Sequence, residues 1–152
     1  MRDTWVVVAD SSAARVFTAA SQTGALEEIA SYAHPEGRLH DRDLRTDQPG
    51  MTKDRAGYAM HGMEPKVKPK TQEAMAFARE IAGHIEAARS KNQVERVILV
   101  APPEFLGHLR NALDDDAKKI VESEYNLNLV RQTPAEIRKH LPEKLYSSLE
   151  TK

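Results

Sequence analysis

The sequence predicts an α/β fold in which a mixed five-stranded sheet carries helices on its faces, and three observations lead there. Residues 5–9 (WVVVA) and 96–101 (RVILVA) are short, almost continuously apolar runs rich in β-branched side chains, as expected of strands buried on both faces. After residue 70 the apolar period lengthens to that of helices, with Phe77, Ile81 and Ile85 at i, i+4 and i+8, then Phe105, Leu109 and Leu113 at the same spacing. Two further strand-like runs directly follow the first, before any helical pattern begins, which makes the opening of the chain a meander.

Taken in order, residues 5–9 end at Asp10, Ser11 and Ser12, a cluster of turn formers. Residues 14–20 (ARVFTAA) and 25–33 (ALEEIASYA) flank the turn Gln22, Thr23, Gly24 and read as a hairpin. Residues 34–70 hold four of the seven glycines, four of the eight prolines and three of the six histidines, with no helical or strand period, and are expected to be one long loop. Thr71 is the expected N-cap of a helix reaching about Ser90, with Glu73 in its first turn. Pro102, Pro103 and Glu104 mark the next helix start, and Asp114 to Asp116 either end that helix or cap a short one. Residues 119–125 (KIVESEY) are the fifth strand candidate, and Pro134 opens a last helix with Ile137 and Leu141 facing inward. Beyond Pro142 the sequence is polar and without pattern.

The order β-β-β-loop-α-β-α-β-α implies an antiparallel meander on one side of the sheet and helical crossovers on the other, which is an RNase H-like three-layer layout. A dinucleotide-binding arrangement is excluded, because no glycine-rich turn joins the first strand to a helix. At 152 residues the chain makes one domain over 1–152, of a size that buries roughly 68–70% of its unfolded surface. The formal net charge of -1 advertises no nucleic-acid or membrane partner for the molecule as a whole, so a basic site has to be local. The absence of cysteine removes disulfides, thiolate metal sites and a cysteine nucleophile. With a first apolar run too short for a signal or a span, the expected address is the cytoplasm.

Four stretches, WVVVADSSAARVF at 5–17, FAREIAGHI at 77–85, LVAPPEFLGHLRNAL at 99–113 and TPAEIRKHL at 133–141, resemble the bacterial host attachment protein family, relatives of the middle domain of archaeo-eukaryotic release factors and of Pelota. The resemblance implies an RNase H-like domain standing alone. It also implies that 34–70 occupies the place where release factors carry a Gly-Gly-Gln tip. No Gly-Gly-Gln occurs in this chain, so the resemblance carries over no catalytic residue and no peptidyl-tRNA hydrolysis.

The expected function is therefore a non-enzymatic binding domain whose partner is RNA, the ribosome or another protein. Its contact surface is the loop, through Arg38, Arg42, Arg45, Lys53, Arg55, Tyr58, His61, Lys66, Lys68 and Lys70. Lys66, Lys68 and Lys70 alternate with Val67 and Pro69, and an extended chain puts all three ammonium groups on one side. Eight basic residues in the loop stand against six acidic ones, which dilutes the attraction. No cofactor and no metal is expected: His40, Asp41 and Asp43, with His34 and His61, are ligand types without a ligand spacing.

Two other classes stay open. A metal-dependent nuclease would use Asp10 at the end of the first strand with carboxylates drawn from Asp114, Asp115, Asp116, Glu122 and Glu124. A protein-interaction scaffold would use the sheet edge or the helices. Ser11, Ser12 and His108 supply a formal serine and histidine without a nucleophile elbow. Trp5, Phe17, Phe77 and Phe105 are expected in the core, and Arg15 and Arg110 either snorkel beside it or face a partner.

Overall fold

A computed structural model describes residues 3–34 and 69–147. The sheet has five strands, β1 (Asp3–Ala9), β2 (Ala13–Ala19), β3 (Leu26–Ala33), β4 (Val94–Val100) and β5 (Val121–Tyr125), in the spatial order β3-β2-β1-β4-β5. The mixed five-stranded α/β architecture expected from the sequence is the one observed. β1 pairs antiparallel with β2, through Val6 with Phe17 and Val8 with Arg15, and parallel with β4, through Val6 with Ile98 and Val8 with Val100. β4 and β5 are also parallel.

Because side chains alternate across a strand, the two central β-branched runs fill both sides of the sheet. Val7, Val97 and Leu99 face one core cluster, while Val6, Val8, Ile98 and Val100 face the other, and all seven are fully buried. The first cluster is covered by α1 (Pro69–Ser90), α2 (Pro103–Ala112) and the short α3 (Asp115–Lys119). On α1 the buried stripe is Phe77, Ala78, Ile81, Ala82, Ile85 and Ala88, and its alanines let the helix lie close to the sheet. Asn92, with φ 60°, closes α1 in a Schellman arrangement, its own N–H donating to Arg89 O and that of Gln93 to Ala88 O at 2.8 Å.

Local sequence sets the other helix ends. Pro103 stands in the first turn of α2, where a missing N–H costs nothing. Asp114 caps α3, its Oδ1 accepting from Ala117 N–H at 2.8 Å, so the triple aspartate starts a short helix. Thr133 caps α4 (Pro134–Lys139) by accepting from Glu136 N–H at 3.1 Å. At the β3 edge, Ile29 is bulged where the register with β2 shifts, and Glu27 and Glu28 precede it, features that discourage pairing with another sheet.

Two expectations change. Helix α1 begins at Pro69 rather than Thr71, so Thr71 lies inside it and no acidic residue stands in its first turn. Lys70 is thereby helical, and the extended alternation of Lys66, Lys68 and Lys70 cannot reach it. The pattern-free stretch beyond Pro142 is also built into the fold as far as residue 147. Leu145 is buried in the second cluster with Leu129, Ile137 and Leu141, its N–H donating to Gln22 O at 2.8 Å. Gln22 Nε2 returns a bond to Tyr146 O at 2.6 Å, and the Arg96 guanidinium lies 3.9 Å over the Tyr146 ring. Arg138 donates to the carbonyls of Gly24, Pro142 and Glu143, each at 2.8 Å. Leu145, Tyr146 and Leu149 in a polar tail are too few to set a helical or strand period, yet Leu145 completes the second layer. Leu145→Ala is expected to lower unfolding stability by about 2–4 kcal/mol in urea or thermal melts, through lost burial and the cavity left behind.

Candidate functional site

β1, β4 and β5 are mutually parallel, and β3 points the same way because it is antiparallel to β2, itself antiparallel to β1. The carboxyl ends of four strands therefore meet at one edge of the sheet. β1 turns away there towards β2, while β4 leads into α2, so the two central strands diverge at a topological switch point, where open α/β sheets leave a crevice. A cleft of about 440 Å³ occupies the place. Asp10 and Ser11 line it from the β1–β2 turn, Lys70 and Thr71 from the start of α1, and Asn128 from the segment after β5. Pro102, Glu104, Phe105 and His108, from the end of β4 and from α2, form the remaining wall, with Ala74 of α1 below.

Asp10 is first of all a turn residue. One oxygen, Oδ1, accepts from Ser12 N–H at 2.8 Å, Ser12 Oγ at 3.0 Å and Ala13 N–H at 3.0 Å. Its second oxygen, Oδ2, takes no hydrogen bond from the described residues. His108 packs edge-on against Phe105, and its Nε2 is buried without a hydrogen-bond partner. Glu104 Oε2 stands 4.0 Å from that nitrogen, beyond hydrogen-bond range. A buried polar atom left in this state costs about 1–3 kcal/mol until something meets it.

His34, at the end of β3, is buried at 8% exposure, stacks on Phe77 with 4.9 Å between ring centres, and donates its N–H to Ser12 O at 2.9 Å. The chain leaves the described structure at His34 and returns at Pro69, beside the same cleft. Of the residues expected to contact RNA, the structure describes Lys70 alone, on the cleft wall. Arg38, Arg42, Arg45, Lys53, Arg55, Tyr58, His61, Lys66 and Lys68 lie outside the described residues, as do His40, Asp41 and Asp43.

The carboxylates considered for metal chemistry do not gather around Asp10. Asp114 to Asp116 begin α3, which precedes β5 and so lies at the opposite edge of the sheet. Asp114 is occupied as a cap, and Glu124 accepts from Arg110 Nη2 at 2.6 Å. That hydrogen bond first, and the charge of Glu124 second, hold the Arg110 guanidinium above its ordinary pKa. Among the described residues no group of three or more His, Cys, Asp or Glu is arranged to hold a metal ion.

Arg15 is likewise committed to the fold. It donates to both Glu28 oxygens, at 2.9 and 3.1 Å, and to the carbonyls of Val130 and Gln132 at 2.9 and 2.6 Å, with its guanidinium 5.1 Å from the Phe17 ring centre. The Arg15 hydrogen bonds, aided by its charge and partly opposed by burial, hold the Glu28 carboxyl below its ordinary value. Phe17, Phe77 and Phe105 are buried as expected, and Trp5 is partly buried against the first cluster.

The family described as "Protein required for attachment to host cells" matches residues 5–141. The chain belongs to that family. No curated protein matches this host attachment family member. Among solved structures, a crystal structure of the Ppx/GppA phosphatase of Aquifex aeolicus, the type II variant, is similar at 16% identity and a TM-score of 0.35, covering 82% of this chain and 35% of that one. A second structure, of the Aquifex aeolicus member of the Ppx/GppA family, is similar at 15% identity and a TM-score of 0.34, covering 82% and 34%. The chain thus spans about a third of the length of those structures. Among the described residues no helix is long and apolar enough to cross a membrane.

The sequence reading missed Thr71, Glu104 and Asn128 as neighbours, and took His108 only as half of a hydrolytic pair. The signal was present: these residues follow parallel strands or open the helices that start at their carboxyl ends. For Asp10, the turn role predicts that Asp10→Ala lowers stability by about 1–3 kcal/mol in chemical denaturation, whereas Asp10→Asn, which keeps an oxygen at Oδ1, loses less than half of that.

Proposed function

We propose that this host attachment family member is a non-enzymatic cytoplasmic domain that binds RNA, free or on the ribosome, and that it shares ancestry with the middle domain of release factors. Its contact surface is the segment 34–70. The observation that carries the reading is where that segment is anchored. It departs from His34, at the end of β3, and returns at Pro69, where Lys70 lines the cleft at the carboxyl edge of the sheet. Whatever 35–68 presents is tethered at the edge where α/β sheets bind ligands.

The segment brings eight basic side chains against six acidic ones, and one aromatic ring, Tyr58, to a chain of net charge -1, so its own balance is only slightly positive. Lysine and arginine meet phosphates, and an aromatic ring stacks on an unpaired base. On this reading the segment stands where release factors carry their catalytic loop and, without Gly-Gly-Gln, lacks the residue of peptidyl-tRNA hydrolysis.

Sedimentation with ribosomes and with single-stranded RNA across a salt series tests this. Binding at low salt should fall with a log-log slope of roughly -2, as for contact with about three single-strand phosphates, and replacing Lys66, Lys68 and Lys70 by glutamine should weaken it. Absence of binding at low salt, or binding unchanged in the triple variant, contradicts the reading. RNA cleavage that requires Mg²⁺ and disappears in Asp10→Asn would put a nuclease in its place.

A further inference from the structure

We propose that the cleft at the carboxyl ends of β1 and β4 is a binding site for one ribonucleoside, free or as the 3′-terminal residue of an RNA strand. As a free-nucleoside site it stands on the described residues alone; as an RNA-end site it rests on the RNA reading above.

Size limits the ligand first. At about 440 Å³ the cleft lies at the small end of the range for ligand pockets, so it admits one nucleoside and not a run of nucleotides. The wall chemistry limits it further. Ala74, Pro102 and Phe105 offer apolar surface against which a flat base can lie. Ser11, Thr71 and Asn128 each carry both donor and acceptor capacity, the mixture that base edges present in return. Two carboxylates, Asp10 and Glu104, outnumber the Lys70 ammonium on the same walls and so do not select for a phosphate. They favour a ligand that arrives with hydroxyl or amino donors.

Asp10 selects among such ligands. Its turn bonds all fall on Oδ1, which leaves Oδ2 to accept from a sugar hydroxyl, the role an acidic residue takes towards ribose in other α/β sites. A ribose with both 2′ and 3′ hydroxyls free occurs in a free nucleoside or 5′-nucleotide and at an RNA 3′ end, and not within a strand, and the carboxylate-rich lining favours the nucleoside over the nucleotide. The buried Nε2 of His108 is the second polar atom awaiting a partner, and its ring forms part of the wall. The nitrogen itself is covered as the ring stands, and a turn of the ring towards the cleft lets a nucleoside supply that partner.

Titration calorimetry of the full chain with adenosine, guanosine, cytidine and uridine tests the site, alongside their 2′,3′-dideoxy analogues. Short RNAs ending in a 3′ diol or a 3′ phosphate separate the two sources. Asp10→Asn retains Oδ1 for the turn while removing the second carboxylate oxygen, and His108→Phe retains the ring against Phe105 while removing the nitrogen. At least one ribonucleoside should bind with Kd below about 1 mM, and at least about tenfold more weakly after loss of the diol or in either variant, each variant still melting cooperatively above the temperature of the titration. A diol-ended RNA binding about tenfold tighter than its phosphate-ended counterpart assigns the site to RNA ends. Equal binding of the two RNAs, with ribonucleosides still bound, assigns it to free nucleosides.

Failure of all four ribonucleosides to bind at about 5 mM overturns the inference, as does binding indifferent to the diol and to both variants. RNA binding without any ribonucleoside binding overturns the cleft and leaves the loop reading intact. The reverse outcome overturns the loop reading and leaves the cleft.

Discussion

The parallel pairing of β1 with β4 is the constraint on which the rest of the molecule depends. Both strands are buried on both faces, so each must be covered above and below, and a parallel pair cannot be joined by a tight turn. The chain between them therefore has to cross the sheet and come back, and α1 makes the return while covering one face. Each fully buried valine, leucine or isoleucine of the pair contributes about 1.5–3 kcal/mol of transfer free energy, an upper bound measured against an extended unfolded chain. The sheet is tied together through this centre: β2 and β3 add on one side, β5 on the other, and the second layer closes with α4 and Leu145.

The same pairing fixes where binding chemistry can gather. Parallel strands deliver their carboxyl ends to one edge, and the antiparallel meander, by reversing twice, brings β3 to that edge as well. The turn after β1, the start of α1, the start of α2 and the segment after β5 then converge without any one of them being long. The segment 35–68 is attached at this edge at both of its ends. In this host attachment family member the small cleft thus shares one end of the domain with His34 and Pro69, while the opposite end carries Asp114 as a helix cap and Asn92 as a helix terminator.

Much of the framework was legible because its signals are local. Trp5 to Ala9 could only be an interior strand. Pro103 and Pro134 announced helices that begin where expected, and Asp10 announced the turn it makes. What escaped has a physical reason in each case. Leu145 stands in a stretch without period, and its burial is with Leu129 and residues of the opening strands, its N–H donating to Gln22 far away in sequence. Pro69 and Lys70 sit within a proline- and lysine-rich run, yet proline suits a first helical turn, so α1 extends two residues further back than Thr71 suggested. The cleft was least legible, since Thr71, Glu104 and Asn128 carry no spacing of their own and become neighbours only once strand order is known.

The central claim is that this domain binds at the carboxyl edge of its parallel strands. Amide chemical-shift mapping of the isotope-labelled full chain, titrated with a ribonucleoside and then with a short single-stranded RNA, tests that most directly. The account predicts shifts at Ser11, Thr71, Glu104, His108 and Asn128, with Asp3, Val94, Asp114 and Val121 at the opposite edge unmoved. Shifts concentrated at that opposite edge, or along β3 around Ile29, would contradict it.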